Sequence, residues 1–366
     1  MSLFHLSYET LQQIGDDLTP SDLASLMQTC KSLECTIATL LYREVKLSGI
    51  AQVISFASAL EKHAPERAKC MRKLDWHVLE WITDATETLI FSQLACSIIH
   101  QAIEQLIHLK IRSFGKIVEN SDLLATLLLG RNLTHVQLLD VCPFSISPPN
   151  PTMHSLLDFR APLQELSLIS FNDLPFSIFT FLGNFKDTLI KLELVDGRSE
   201  GKDLSNPHGH VWPRVHELKL LNTPAIPDVL EDAFPNVQIV SLEHYGVISD
   251  VKGKQSTRHW TRLRKFEGAI EDVILYDGLQ KCRINEVFLS CSGRYDSQVV
   301  HFLNSTAPEI LELANTFYQE EFLQIFCEGA SFVTSVVDLT LSFMAPDIAT
   351  LEYTIVSDYF FLLSRD

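Results

Sequence analysis

The sequence has few of the features that mark a secreted, membrane-bound or redox protein. Its eight cysteines include no C-x-x-C pair, and the two nearest to each other are Cys30 and Cys35. The longest apolar runs, such as LLATLLLG, are far shorter than the ~20 residues that a bilayer span needs. The start, MSLFHLSYET, lacks the cationic end and apolar core of a signal peptide. We therefore expect reduced cysteines, no membrane contact and a location in the cytoplasm or nucleus.

Positive charge is also scarce. The 366 residues contain 29 Lys and Arg against 46 Asp and Glu, which gives a formal net charge of −17. This balance disfavours a general binder of phosphate backbones, so we expect no nucleic-acid partner. An apolar fraction of 46% and a charged fraction of 20% are typical of a folded chain and argue against disorder.

Residue patterns that support catalysis or metal binding are weak. The stretch GRSEGKD from Gly197 has the wrong spacing for a phosphate loop, and no Ser or Thr follows Lys202. His208 and His210 are two neighbouring imidazoles without further ligands, so we expect no metal site. Cys30 lies on an apolar helical stripe, where burial makes a thiol inert. We expect a non-enzyme without a cofactor; the alternative is a hydrolase whose nucleophile, base and acid meet only in the fold.

The first 45 residues predict three short helices. Ser7 is a predicted N-cap of the first. Thr19 caps the second, with Pro20 at its first position and Asp22 facing the positive end of the helix dipole. The third runs over about 33–41. A unit of about 40 residues cannot bury enough surface to be stable alone, so we expect it to need a neighbour or a partner.

The stretch LSYETLQQIGDDLTPSDLASLMQTCKSLECTIATLLYREVKL resembles the F-box family. The matching residues are Leu6, Glu9, Leu11, Ile14, Leu18, Pro20, Asp22, Leu23, Leu26, Cys30, Lys31 and Leu33. The stretch departs from the family at Ser7, Gly15 and Thr29, where Pro, Phe and Val are usual. The resemblance implies docking to the Skp adaptor of a cullin–RING ubiquitin ligase. The implied adaptor-binding residues are Leu6, Leu11, Ile14, Leu18, Pro20, Leu23 and Leu26. The alternative is that these helices only cap the domain that follows.

From residue 42 onward, the pattern apolar-x-x-apolar-x-apolar recurs at intervals of 21 to 35 residues. It begins at Tyr42, Met71, Leu106, Leu133, Leu163, Leu189, Val215, Val237, Leu263, Ile284, Pro308 and Val336. The last three positions alternate as in a short strand, and helix-like segments fill the gaps, one of them capped by Ser121. A recurrence at this period indicates stacked supersecondary units.

These repeats predict an α/β fold. We expect a three-helix module over 1–45, followed over 46–366 by a right-handed solenoid with a parallel sheet and outer helices. The solenoid resembles the leucine-rich repeat family in an irregular, long-repeat form. The Asn that usually follows each strand in that family is mostly missing, so we assume no asparagine ladder. The apolar end, YTIVSDYFFLLSRD, indicates a chain that is cut short or an end that packs on a partner.

One stretch, DVKGKQSTRHWTRLRK over 250–265, is basic within this acidic chain. Its six cations with Trp260 among them would suit a contact with nucleic acid or an acidic peptide. We favour the plainer interpretation, in which these cations are a solvated face that balances the surrounding acidic residues.

The residue between the last two apolar positions of each repeat should point away from the core. With the residue two positions earlier, it should line one concave surface. The candidate residues for binding a protein substrate are His108, Lys110, Arg112, His135, Gln137, Glu165, Lys191, Glu193, Lys219, Glu267 and Phe288. Phe288 is the aromatic candidate for a binding hot spot. The alternative is that most of these side chains are merely solvated.

Together these features predict a substrate-recognition subunit of a Skp–cullin–F-box ubiquitin ligase. The N-terminal helices would dock onto the adaptor, and the solenoid would hold a protein that is to be ubiquitinated. The alternative is a leucine-rich-repeat scaffold or recognition protein without a ligase role.

Overall fold

The computed structural model describes residues 8–29, 31–63, 65–77, 85–119, 121–141, 151–171, 174–197, 209–223, 227–243, 260–269, 273, 279–291, 297–315, 334–343 and 351–356. The chain divides into two compact units, Met1–Phe176 and Ser177–Asp366. The three N-terminal helices belong to the first unit, together with the first five strands. None of the described helices is long and apolar enough to cross a bilayer.

The first unit alternates helices with short strands. Its helices are α1 Tyr8–Asp16, α2 Pro20–Thr29, α3 Lys31–Arg43, α4 Ile50–His63, α5 Ala85–Ala102, α6 Phe114–Glu119 and α7 Leu123–Leu127. Two 3₁₀ helices cover Pro65–Cys70 and Pro151–Asp158. Its strands are β1 Glu44–Leu47, β2 Lys73–Trp76, β3 His108–Ile111, β4 His135–Leu139 and β5 Glu165–Ile169.

The five strands of the first unit pair in parallel, in chain order. Lys46 lies opposite Asp75, Asp75 opposite Lys110, Lys110 opposite Gln137, and Gln137 opposite Ser167. The residues on either side of these positions are buried. The predicted phase of the apolar pattern is therefore confirmed in this unit.

The second unit continues the same alternation. Its helices are α8 Ile178–Leu182, α9 Pro227–Ala233 and α10 Ser297–Thr306, with 3₁₀ helices at Gly183–Phe185 and Leu279–Lys281. Its strands are β6 Lys191–Val195, β7 Glu217–Leu221, β8 Ile239–Glu243, β9 Arg262–Ala269, β10 Arg283–Cys291, β11 Ile310–Asn315, β12 Asp338–Phe343 and β13 Leu351–Val356.

In the second unit, β6 to β12 pair in parallel in chain order. The α/β class and the solenoid-like parallel arrangement are thus confirmed. The last described strand differs from the prediction, because β13 pairs antiparallel with β12 and places Val356 opposite Asp338.

A small polar residue in the left-handed conformation follows several strands. Ser113, Asp140 and Ser170 in the first unit, and Asp196 and Asn222 in the second, have φ between 48° and 56°. Their spacings of 27, 30, 26 and 26 residues equal the spacings of the repeats that contain them.

These turn residues bond from one repeat to the next. The Asp196 N–H donates to the Leu221 carbonyl, and the Asn222 N–H donates to the Glu243 carbonyl, each at 2.9 Å. The Asn222 side-chain amide also donates to Asp196 Oδ1 at 2.9 Å. A polar ladder therefore exists although Asn is mostly missing, because Ser and Asp occupy the same position.

Two buried tryptophans repeat one contact in the second unit. The Trp212 indole donates to the Leu182 carbonyl, and the Trp260 indole donates to the Phe234 carbonyl, both at 2.9 Å. Each satisfies a carbonyl of the preceding repeat inside the core. Trp260 is therefore a structural residue, and not the exposed aromatic that a nucleic-acid contact would use.

One predicted helix cap is wrong. The Ser121 hydroxyl donates to the Ile117 carbonyl at 2.7 Å, so it bonds back to α6. The N-cap position of α7 belongs to Asp122 instead.

Gly268 in β9 occupies a core position that carries a larger apolar residue in most repeats. A Cβ atom at Gly268 would lie 2.6 Å from the Leu242 carbonyl oxygen and 2.9 Å from Phe266 Cζ. The Phe266 ring, which is fully buried, fills the volume that a leucine would otherwise occupy. The large volume of Phe266 is therefore compensated by the missing side chain at Gly268.

We predict that Gly268→Ala destabilises the protein by about 1–3 kcal/mol, because the backbone of β8 must move to admit the methyl group. Thermal unfolding followed by circular dichroism measures this loss. Ser241→Ala, on the solvent side of β8, is the control and should stay within about 0.5 kcal/mol of wild type. Equal stability of Gly268→Ala and wild type would contradict the packing argument.

Candidate functional site

Within each unit the strands expose one side of their sheet, and we use the name open face for this side in either unit. All eleven candidate binding residues, from His108 to Phe288, lie on it and are at least partly exposed. In β3 and β10, for example, Lys110 and Phe288 alternate with buried neighbours on both sides. The open face is thus available for contact with another molecule.

On the first unit, histidines and carboxylates form one row across the strands. The His108 and His135 rings stack with centroids 3.9 Å apart, and His135 Nε2 lies 3.2 Å from Glu165 Oε1. Lys73 Nζ lies 3.3 Å from Glu44 Oε1. Burial lowers the pKa of His108, and the neighbouring His135 and Lys73 lower it further.

The next row on this unit contains Lys46, Asp75 and Lys110 and carries more positive than negative charge. Lys46, Lys110 and Arg112 lie near enough to His77 to act on its charge, and we call these four residues the basic cluster. His77 Nε2 lies 2.9 Å from Asp75 Oδ1. Burial lowers the pKa of His77; Asp75 opposes this effect, while the three cations add to it.

On the second unit, each described lysine of the open face pairs with a carboxylate. The Nζ–Oε distances are 2.6 Å for Lys191–Glu217, 3.0 Å for Lys219–Glu193 and 3.3 Å for Lys265–Glu267. Such pairs at a surface contribute only about 0–1 kcal/mol each. The candidates Lys191, Glu193, Lys219 and Glu267 therefore already have intramolecular partners, which a bound protein would have to compete with or extend.

A shallow pocket of about 220 Å³ opens on this part of the face. Phe288 lines it, with Glu267 and Glu312 opposite Phe288 on the neighbouring strands. Lys265 Nζ lies 4.2 Å from the centroid of the Phe288 ring, as in a cation–π contact. The pocket therefore offers an aromatic surface, and its rim carries both acidic residues and Lys219.

The Cys282 thiol is not prepared as a nucleophile. Burial raises the pKa of the Cys282 thiol to about 12, so it is protonated at neutral pH. Cys96 lies in a cleft with His100 and Asp122, but its sulfur contacts the Thr126 hydroxyl at 3.5 Å. The described residues contain no metal-binding group of three or more His, Cys, Asp or Glu. Cys30, Lys202 and His208 lie outside the described residues.

Helix α2 is capped as predicted, whereas Ser7, the predicted N-cap of α1, lies outside the described residues. The Asp22 N–H donates to Thr19 Oγ1 at 3.2 Å, and the Thr19 N–H donates to Asp22 Oδ2 at 3.1 Å. This reciprocal pair is a capping box at the start of α2. Hydrogen bonds from Thr19 hold the pKa of Asp22 below its ordinary value.

The predicted adaptor-binding residues divide by burial. Leu11 and Leu23 form the core of the module with Ile37, so they hold the helices together. Leu18 and Leu26 pack against this core but are partly exposed, and Ile14 is 37% exposed. Pro20 begins α2, and Leu6 lies outside the described residues. Among the predicted residues whose burial the structure describes, Ile14, Leu18 and Leu26 are the ones that remain accessible to an adaptor.

Gly15, where the F-box family usually has Phe, is buried between helices. A Cβ atom at this position would lie 2.7 Å from Leu40 Cδ1 of α3. A residue with a side chain at position 15 would therefore require the Leu40 side chain to move.

The module also packs on the sheet-bearing part of its unit. Chain continuity joins α3 directly to β1. The Arg67 guanidinium of the following 3₁₀ helix lies 2.7 Å from Glu34 Oε1 and 5.7 Å from the centroid of the Tyr42 ring. The three helices are therefore anchored at α3, which leaves α1 and α2 as the part that can meet a partner.

The chain matches no known protein-family model, and no curated protein is similar enough in sequence to count as a relative. The F-box and leucine-rich-repeat resemblances therefore rest on the residues quoted above and stay predictions.

Some features of the face were not foreseen from the sequence. His77 follows β2 by one residue and shares the side of Asp75, yet the repeat pattern ends before it. Lys265 contacts Phe288 although the two residues are not opposite each other: Lys265 lies opposite Glu286 in β10. The signal in the sequence that could have predicted the position of His77 is the alternation of side chains between the two faces of the sheet, which continues past the last apolar residue of the repeat.

We predict that stability falls as the pH drops below about 6.5. Because the pKa values of His77 and His108 lie below their ordinary 6.5 in the folded chain, the unfolded chain takes up protons first. The free energy of unfolding in urea should decrease from pH 7.5 to pH 5.5. The decrease should be smaller in His77→Gln/His108→Gln than in the control His154→Gln/His301→Gln, which changes two exposed histidines. Equal pH dependence in both double variants would contradict this assignment.

Proposed function

We propose that this chain is a protein-recognition subunit that holds its partner on the open face. The observation that carries the proposal is the register of that face. Within each unit, exposed polar residues of successive strands lie side by side, as in Lys46–Asp75–Lys110 and Glu193–Lys219–Ser241. Such an extended surface with a shallow pocket suits a protein partner better than a small substrate.

We further propose that α1 and α2 dock onto the Skp adaptor of a cullin–RING ubiquitin ligase. The F-box resemblance of the first 45 residues supports this step, as does the exposure of Ile14 beside the partly exposed Leu18 and Leu26. The chain would then act by proximity: it raises the local concentration of partner lysines near a charged conjugating enzyme. It performs no bond chemistry itself.

The second candidate is a scaffold or recognition protein without a ligase role. The anchoring of α3 favours it, because the Glu34–Arg67 ion pair and the Tyr42 contact are what a helical cap on a solenoid would make. Both candidates use the open face in the same way and differ only in whether the N-terminal helices bind an adaptor.

We predict that Ile14→Asp reduces capture of the purified Skp adaptor at least ten-fold. Excluding an apolar side chain of this size from an interface costs about 1.5–3 kcal/mol. Gln13→Asp, which adds the same charge at the neighbouring exposed position of α1, should bind as wild type does. Equal capture by Ile14→Asp and Gln13→Asp would favour the scaffold.

We predict that Phe288→Ala removes most partner proteins found by proximity labelling of the full chain. A buried aromatic hot spot contributes at least about 2 kcal/mol, or about 30-fold in affinity. Leu129→Ala, an exposed leucine outside the strands, is the control.

A proteasome inhibitor separates the two candidates in the same experiment. Partners that accumulate with the inhibitor support the ligase role, and partners whose amounts stay constant support the scaffold. If Phe288→Ala and the control retain the same partners, the pocket is not the binding site.

A further inference from the structure

The basic cluster is an electrostatic exception within this chain. The formal net charge of the whole chain is −17, yet Lys46, Lys110 and Arg112 lie together on the open face of the first unit. Asp75 lies between Lys46 and Lys110 in register, and His77 also lies against it. Among the described residues, neither Lys46 nor Lys110 forms an ion pair.

Other charges of this face are locally compensated. Lys73 pairs with Glu44, and His135 with Glu165. Among the described residues of this face, the positive charges without an ion pair are therefore those of Lys46 on β1 and Lys110 on β3. The three cations of the cluster lower the pKa of His77, and this effect adds to that of burial.

We propose that the basic cluster binds an extended protein segment that carries carboxylates at alternate positions. The inference rests on the proposed function, in which the open face holds a protein partner, and adds the chemistry of the segment that it recognises. Charge complementarity selects the carboxylates.

The spacing of the cations selects the alternate positions. Lys110 in β3 and Arg112, the residue that follows the last residue of β3, are two residues apart, which is about 6.6–7 Å along an extended chain. The side chains at alternate positions of an extended ligand have the same spacing. Lys46, two strands away from Lys110, lies about 10 Å to the side and can reach a further carboxylate or the C-terminal end of the segment.

The surroundings favour a protein segment over nucleic acid. Glu44, Asp75 and Glu165 lie on the same face and repel a continuous phosphate backbone, while the chain as a whole is strongly acidic. A peptide can place neutral residues over these carboxylates.

The test uses the full chain and a fluorescent twelve-residue peptide of alternating Glu and Ser. We expect measurable binding by anisotropy at low salt, loss of binding in 0.3 M NaCl, and none for the peptide with Gln in place of Glu. Lys46→Gln/Lys110→Gln should weaken binding about 2- to 30-fold, the range for two exposed charge pairs. Lys62→Gln/Lys186→Gln removes two exposed lysines outside the strands and should bind as wild type does.

An NMR titration of His77 gives a second readout. A carboxylate bound in the cluster adds negative charge beside the imidazole, so the pKa of His77 should rise when the peptide is present. An unchanged His77 titration at saturating peptide would place the peptide elsewhere and overturn the proposal.

Three further outcomes also overturn the proposal: equal weakening of peptide binding by the two double-lysine variants, absence of peptide binding at millimolar concentration, and tighter binding of a single-stranded oligonucleotide of equal charge.

Proximity labelling shows whether only the acidic-segment proposal fails or the proposed function fails with it. If Phe288→Ala labels fewer partner proteins while Lys46→Gln/Lys110→Gln labels all of them, the proposed function holds and only the proposed acidic ligand is wrong. If neither variant loses partners, both proposals fail.

Discussion

Hydrogen bonding between parallel strands keeps one register from repeat to repeat, within β1–β5 and again within β6–β12. A slip by one residue in any strand would move its leucines to solvent and its charged residues into the core. Because no slip occurs, residues far apart in sequence form continuous rows on the open face. The ion pairs, the stacked histidines and the Phe288 pocket all depend on this alignment. Recognition and packing therefore use the same strands, with alternate residues serving each.

Much of the fold could be predicted from the sequence because its signals are local and repeated. The pattern that begins at Leu106, Leu133 or Leu189 reports burial on one side of a strand, and its recurrence reports stacking. The turn ladder could not be predicted from asparagine alone, because at Ser113 and Asp140 other small polar residues adopt the left-handed conformation. The antiparallel β13 could not be foreseen, since its short apolar run fits either direction.

The candidate site was predictable in part for a related reason. Alternation identifies which residues of the open face are exposed, and all eleven candidates lie there. It does not identify which charges neutralise each other, because that depends on side-chain conformations across strands, as in the pairing of Lys191 with Glu217. In the N-terminal helices, some apolar residues are buried in the core of the module and others are exposed at its surface. A stripe alone cannot separate Leu11, which packs inward, from Ile14, which faces solvent.

The left-handed turn after the strands has a consequence for how such a chain can change. In the repeats that have this turn, hydrogen bonds such as that from the Asn222 side chain to Asp196 link the end of one strand to the end of the next. The repeats that contain this turn differ in length, from 22 to 30 residues, while the rows on the open face keep their register. Insertions and deletions on the helical side are separated from the residues that select a partner. Evolution can thus vary the length of a repeat and its binding specificity independently.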